Sequence, residues 1–73
     1  MNYETALFYI HFIHETKGER ARLYSAGVPR VGDEQRFTNR EKEEIFYKVS
    51  RVVWVWDEPD SPHQRINVGL IDA

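Results

Sequence analysis

Seventy-three residues without a single cysteine make one small domain, 1–73, that must hold together with neither disulfides nor thiolate-bound metal. A chain this short buries a modest share of its surface, so it needs an aromatic-rich core, a partner or a second copy of itself. Ten basic against 12 acidic residues leave a net charge of −2, without the bulk positive charge usual for a nucleic-acid binder, while 41% hydrophobic content argues against disorder.

Seven of the ten cations are arginine, the residue better suited to bidentate pairing and stacking, which hints at contact surfaces. The N-terminus Met1-Asn-Tyr-Glu4 lacks a basic leader, and the apolar run over 7–13 is interrupted by His11. No apolar run approaches the roughly 18–20 residues of a membrane span. The expectation is a cytoplasmic protein without a membrane segment.

Residues 5–14 are rich in aromatic and β-branched types, which suits a strand. Helical spacing competes, but Gly18 and the strand-like residues 19–25 that follow point to a hairpin. A two-residue turn at Lys17-Gly18 pairs Thr16 with Glu19, Glu15 with Arg20, Phe12 with Leu23 and Ile10 with Ser25. On that register Phe8, Ile10 and Phe12 face the core, and Glu15 and Arg20 form an opposite-charge pair. Tyr9, His11 and Ile13 take the other face, unusually apolar for one exposed to water.

Gly27 and Pro29 stop the second strand, and Gly32-Asp33 makes a turn into a short strand over 34–38 with Phe37 inward. Residues 39–44 are all polar and read as a loop, with a single helical turn capped by Thr38 or Asn39 as the competitor. The longest run, 45–57, holds both tryptophans and contains no Gly or Pro. Tyr47 and Val49 differ in parity from Val52, Trp54 and Trp56. A bulge at Ser50-Arg51 brings all five to one face. Two prolines and three acids then make a loop over 57–63. Residues 65–71 form the last strand, with Ile66, Val68 and Leu70 inward. Five strands in this order predict an all-β fold, a small curled antiparallel sheet or SH3-like barrel.

Val28-Pro-Arg-Val-Gly-Asp33, Tyr47-Lys-Val49, Val52-Val-Trp54 and Val68-Gly-Leu70 together resemble a pattern of very short bacterial and phage proteins. In those, a P-x-V-G-D turn introduces a short strand and Y-x-V-x-x-V-x-W forms the long one. The resemblance covers about residues 28–70 and implies an SH3-like small barrel and a phage or mobile-element setting. It brings no catalytic residues. The chain departs from the pattern in its longer 39–44 segment and its Pro-rich 57–63 loop.

His11 and His14 lie three apart, so on a strand they face opposite sides and cannot share a metal ion. Asp57, Glu58 and Asp60 lack the glycine and distal glutamate of a calcium loop and read as a solvated turn. There is no cysteine nucleophile, no G-x-S-x-G elbow and no phosphate-binding glycine loop. The sequence therefore predicts no enzyme, no cofactor and no metal. Large side chains must fill a small barrel, which assigns Tyr47 and Trp54 to the core. Trp56, at the strand end, is the tryptophan most suited to exposure.

These features point first to a non-enzymatic protein-binding module, such as a phage accessory or inhibitor that occludes a surface of a larger host complex. Its site residues would be Tyr9, His11, Arg51, Trp56, Asp57, Glu58 and Asp60, since exposed aromatics and arginine are the usual anchors of interfaces. The alternative is a nucleic-acid-binding barrel using Arg22, Arg51, Arg65 and Trp56, with Tyr24 in its stacking surface. A third reading is a self-assembling subunit or homodimer joined through the outer face of the first strand.

Overall fold

The computed structural model describes residues 7–56 and 64–73. Five strands follow in chain order: β1 (Phe8–His14), β2 (Gly18–Ser25), β3 (Glu34–Thr38), β4 (Glu44–Val55) and β5 (Gln64–Asp72). They form one sheet in the order β2-β1-β5-β4-β3, strongly curled into a half-barrel, with no helix among the described residues. β1–β2 and β3–β4 are antiparallel hairpins, and β5 enters between them. It runs antiparallel to β4 and parallel to β1, so the sheet is mixed.

The core lines the concave face. The alternating residues Ile66, Val68 and Leu70 of β5 are fully buried, flanked by Ile10 and Phe12 of β1 and by Tyr47 and Val49 of β4. Phe8, Ala21, Phe37, Ile45 and Val52 pack around them. Residues 26–33 carry the chain from the β2 edge to the β3 edge. Along the way Val28 joins the core, and Gly32 N–H donates to the Val49 carbonyl at 2.9 Å.

The parity break in β4 is a bulge: Val49 pairs with Leu70 and Arg51 with Gly69, leaving Ser50 as the extra residue. Val52 and Trp54 thereby return to the concave side. Gly69 makes room there: a Cβ on it would lie 2.9 Å from Arg51 Cγ and 3.0 Å from Ser50 Oγ, so a side chain would push the Arg51 stem aside. Trp54 is not a core residue, being 45% exposed. It meets Phe8 edge-on at 5.7 Å. Pairing with β3 ends at Lys48, so among the described residues no strand lies along the outer edge of β4 beside the tryptophan.

The first hairpin differs in register. Phe12 pairs with Ala21, Ile10 with Leu23 and Phe8 with Ser25, two residues from the predicted alignment. The turn is a three-residue loop, Glu15-Thr16-Lys17, closed by Gly18 at φ +80°, and a bulge at Arg20 absorbs the odd residue. Beyond the bulge a slip of two keeps the side chains of residues 21–25 on their predicted faces, so the core assignment of β1 stands, while Glu19 moves to the convex face opposite Ile13. The Glu15–Arg20 pair does not form. Glu15 accepts from the Ser50 hydroxyl at 2.9 Å, and Arg20 donates to the carbonyls of Lys17 and Glu19.

The polar segment between β3 and β4 is a hairpin turn, not a helical one. Asn39 Oδ1 accepts from Glu43 N–H at 2.9 Å, the Asn39 carbonyl accepts from Lys42 N–H, and Lys42 takes a left-handed φ of 63°.

Ile66→Ala should cost about 2–5 kcal/mol, enough to unfold much of a domain this small. Val53→Ala, on the other face, should cost less than about 1 kcal/mol. Urea midpoints at unchanged slope measure both, and equal losses would contradict the assignment of faces.

Candidate functional site

Strand alternation leaves one set of side chains on the convex side of the sheet, and the register decides which of them meet. Tyr9 of β1 lies between Tyr24 of β2 and Arg65 of β5, and Arg65 pairs across to Val55 of β4. In the next row His11 lies between Arg22 and Asn67, with Val53 beyond. In the third, Ile13, Gly69 and Arg51 are neighbours. Arginine, aromatic and aliphatic side chains from four strands thus share one face.

Tyr9 and Tyr24 stack with ring centres 4.8 Å apart, and the His11 ring meets Tyr9 edge-on at 4.8 Å. Arg22 donates to both carboxylate oxygens of Glu19. That pairing holds the Glu19 carboxyl below its usual range and, with Tyr9, raises the Arg22 pKa further. Among the described residues no carboxylate pairs with Arg51. His11 Nε2 and Asn67 Oδ1 are both shielded from water and have no hydrogen-bond partner among the described residues. They belong to residues aligned side by side on β1 and β5. Such a group forfeits about 1–3 kcal/mol until something satisfies it.

Beside them a shallow groove of about 340 Å³ opens at the β4 bulge. Gly69 and Val68 line it together with Ile13, Arg51, Asn67 and Glu15.

Burial first, then the guanidinium groups of Arg65 and Arg22, hold the His11 pKa below its ordinary value, with Glu19 opposing them. His11 is therefore a neutral imidazole at pH 7.

A second polar cluster lies on the concave side, where the residue pattern alone does not announce it. His14 is 4% exposed. Its Nδ1 accepts from the backbone N–H groups of Thr16 and Lys17, both at 3.2 Å, and from the Thr16 hydroxyl at 3.3 Å. Its Nε2 donates to Asp72 Oδ1 at 3.0 Å, which also accepts from Lys17 Nζ at 3.0 Å. Lys17 and then His14 hold the Asp72 carboxyl below its usual range. Asp72, His14 and Thr16 superficially have the order of a nucleophile triad. The lone pair a general base would need is already committed to two backbone donors, so the cluster ties the β1–β2 loop to the end of β5.

Of the sequence-predicted site, Tyr9, His11 and Arg51 meet on the convex face, joined by Arg22, Arg65 and Tyr24 from the alternative reading. Trp56 is 80% exposed but lies one residue past β4. Asp57, Glu58 and Asp60 lie outside the described residues. His11 and His14 stand on opposite faces, as their spacing requires. Asn67 and the groove went unnoticed in the sequence because both depend on β5 lying between β1 and β4.

No family model, curated protein or solved structure matches the chain.

Two variants test these assignments. His14→Phe keeps the bulk but not the hydrogen bonds and should cost about 1–3 kcal/mol; an unchanged urea midpoint would contradict the structural role. Because folding lowers the His11 pKa, the folded state binds fewer protons than the unfolded one. Its contribution is neutral above about pH 7 and becomes destabilising as pH falls through about 6.5. His11→Gln should therefore flatten the loss of stability between about pH 7.5 and 5.5, and an equally steep loss would contradict the account.

Proposed function

We propose that the chain is a non-enzymatic protein-binding module whose working surface is the convex face of β2, β1, β5 and β4. The observation that carries this reading is the convergence there of Tyr9, Tyr24, His11 and three arginines. Tyrosine and arginine are the residues that anchor protein interfaces. The resemblance to short phage proteins suggests an accessory or inhibitor that covers a surface of a larger host complex.

Binding of single-stranded nucleic acid is the second reading, favoured by the placement of Arg22, Arg51 and Arg65 on one face. Three features weigh against it. Tyr9 already uses one ring face on Tyr24, Arg22 is neutralised by Glu19, and the chain as a whole is negative. Pairing of this face with its own copy would set arginine against arginine across a two-fold axis.

The test is affinity capture with the tagged chain from the cells that encode it. A partner retained by wild type and by Glu41→Lys, on the β3–β4 turn, should be lost with Arg51→Glu. Equal capture by all three would overturn the assignment of the face. Retention of an oligonucleotide that weakens steeply with salt would favour the second reading.

A further inference from the structure

The edges of the sheet are not alike. β2 forms one of them, where Glu19, Arg20 and Arg22 supply charge and the bulge at Arg20 breaks the line. β3 forms the other, and it is short and carries Glu34 and Arg36. Such devices keep an open strand edge from recruiting another chain. β4 runs on past the end of β3, and there the devices are missing. Residues 52–56, Val-Val-Trp-Val-Trp, hold no charge, no Gly and no Pro. Among the described residues no strand lies along their outer edge. An apolar run of this kind invites pairing if it is left open.

The backbone at this edge is set for pairing. Along a strand, the edge to which N–H and C=O point alternates in step with the face the side chain takes. Val49 N–H donates to the Asp33 carbonyl and its own carbonyl accepts from Gly32 N–H, both at 2.9 Å, so the Val49 groups lie on the outer edge. The extra residue Ser50 shifts both alternations together. Val52 and Trp54, on the concave side with Val49, therefore turn their N–H and C=O outward. Extending the strand by one residue past β4 brings Trp56 into the same set. In the single chain Trp54 is half-exposed and Trp56 almost fully exposed.

We propose that this edge pairs with the same edge of a second copy, antiparallel about a two-fold axis at Trp54. The occupant follows from the symmetry of the run. Hydrogen-bonded pairs form between residues whose groups point outward, and the set Val52, Trp54 and Trp56 is symmetric about its middle member. An axis at Trp54 sets Val52 opposite Trp56 of the second copy, Trp54 opposite its counterpart and Trp56 opposite the second Val52. An axis at Val53 or at Val55 leaves one of the three without such a partner. The tryptophans of both copies then lie together on the concave side, where directly opposed and diagonal aromatic side chains reach one another. On the convex side Val53 faces Val55 of the second copy, and no like charges oppose. Pairing stops at two copies, because each contributes the same edge and Gly32 and Asp33 already hold Val49 at its far end. Association is a usual source of stability for a domain of this size without disulfides. The pairing goes beyond the protein-binding reading and leaves Tyr9, His11 and Arg22 on the convex face open.

The test is sedimentation of the full chain from micromolar to millimolar concentration, with tryptophan emission recorded on the same samples. Both tryptophans lie in this run, so mass should rise to that of a dimer while emission moves to shorter wavelength. Association should be insensitive to salt, since no charges oppose. Trp54→Lys and Trp54→Glu each set like charges together at the axis and should weaken association roughly tenfold, with core amide resonances in place. Mixing the two variants should restore it. Wild-type chain, half of it labelled with ¹³C, supplies a measurement that needs no variant: filtered NOEs between copies should link Val52 to Trp56 and Val53 to Val55. A chain that stays monomeric to millimolar concentration overturns the proposal. So does association that Trp54→Lys leaves unchanged, or NOEs between copies that centre on Tyr9 and Tyr24 instead.

Discussion

The extra residue Ser50 in β4, opposite Gly69, is the constraint on which both faces of the sheet depend. Strand side chains alternate, so without a bulge Tyr47 and Val49 would face one way and Val52 and Trp54 the other. Inserting one residue restores phase, and a single β4 supplies the core along most of its length. The same insertion decides where Arg51 stands. It emerges on the convex side, with its stem over Gly69 and its guanidinium without a carboxylate partner among the described residues. The device that keeps the core continuous also makes the groove.

The position of β5 supplies the second half of the account. As the middle strand it hydrogen-bonds on both sides, and its inward residues are the least exposed in the described chain. Its outward residues, Arg65, Asn67 and Gly69, lie at the centre of the convex face. That face bears a cost the core does not, since His11 Nε2 and Asn67 Oδ1, both shielded, lack partners among the described residues. A small domain with little stability in reserve gains nothing from such atoms unless something pairs with them. Leu23 and Phe46, by contrast, are single exposed apolar residues of an ordinary kind and imply no site.

Much of this was legible in the sequence where one strand could be read alone. The parity break at Ser50-Arg51 announced the bulge, and Ile66, Val68 and Leu70 announced the inward face of β5. What depends on how strands meet was less legible. The β1–β2 register missed by two, because the buried His14 ring caps a three-residue loop that turn residues alone do not specify. The size and apolarity of Trp54 marked it for the core. Its exposure follows from how far β3 reaches, which its neighbours in sequence do not encode. The sequence pattern puts Tyr9 and His11 on one outer face of β1 but does not connect Arg51 to it. Arg22 joins them through the β1–β2 hairpin and Arg51 through β4–β5, whereas Arg65 and Asn67 arrive through the parallel β1–β5 pairing, made between residues more than fifty positions apart.

The bulge can be tested without perturbing the molecule. Proton–proton NOEs in the wild-type chain report which β4 side chain lies over Gly69. Strong cross-peaks from the Gly69 α-protons to the Arg51 side chain, together with Val49 to Leu70 and Val52 to Val68, are the result this account requires. Arg51 cross-peaks to the buried ring of Tyr47 or to Leu70, with none to Gly69, would contradict it and would remove the groove, the free arginine and the binding face together.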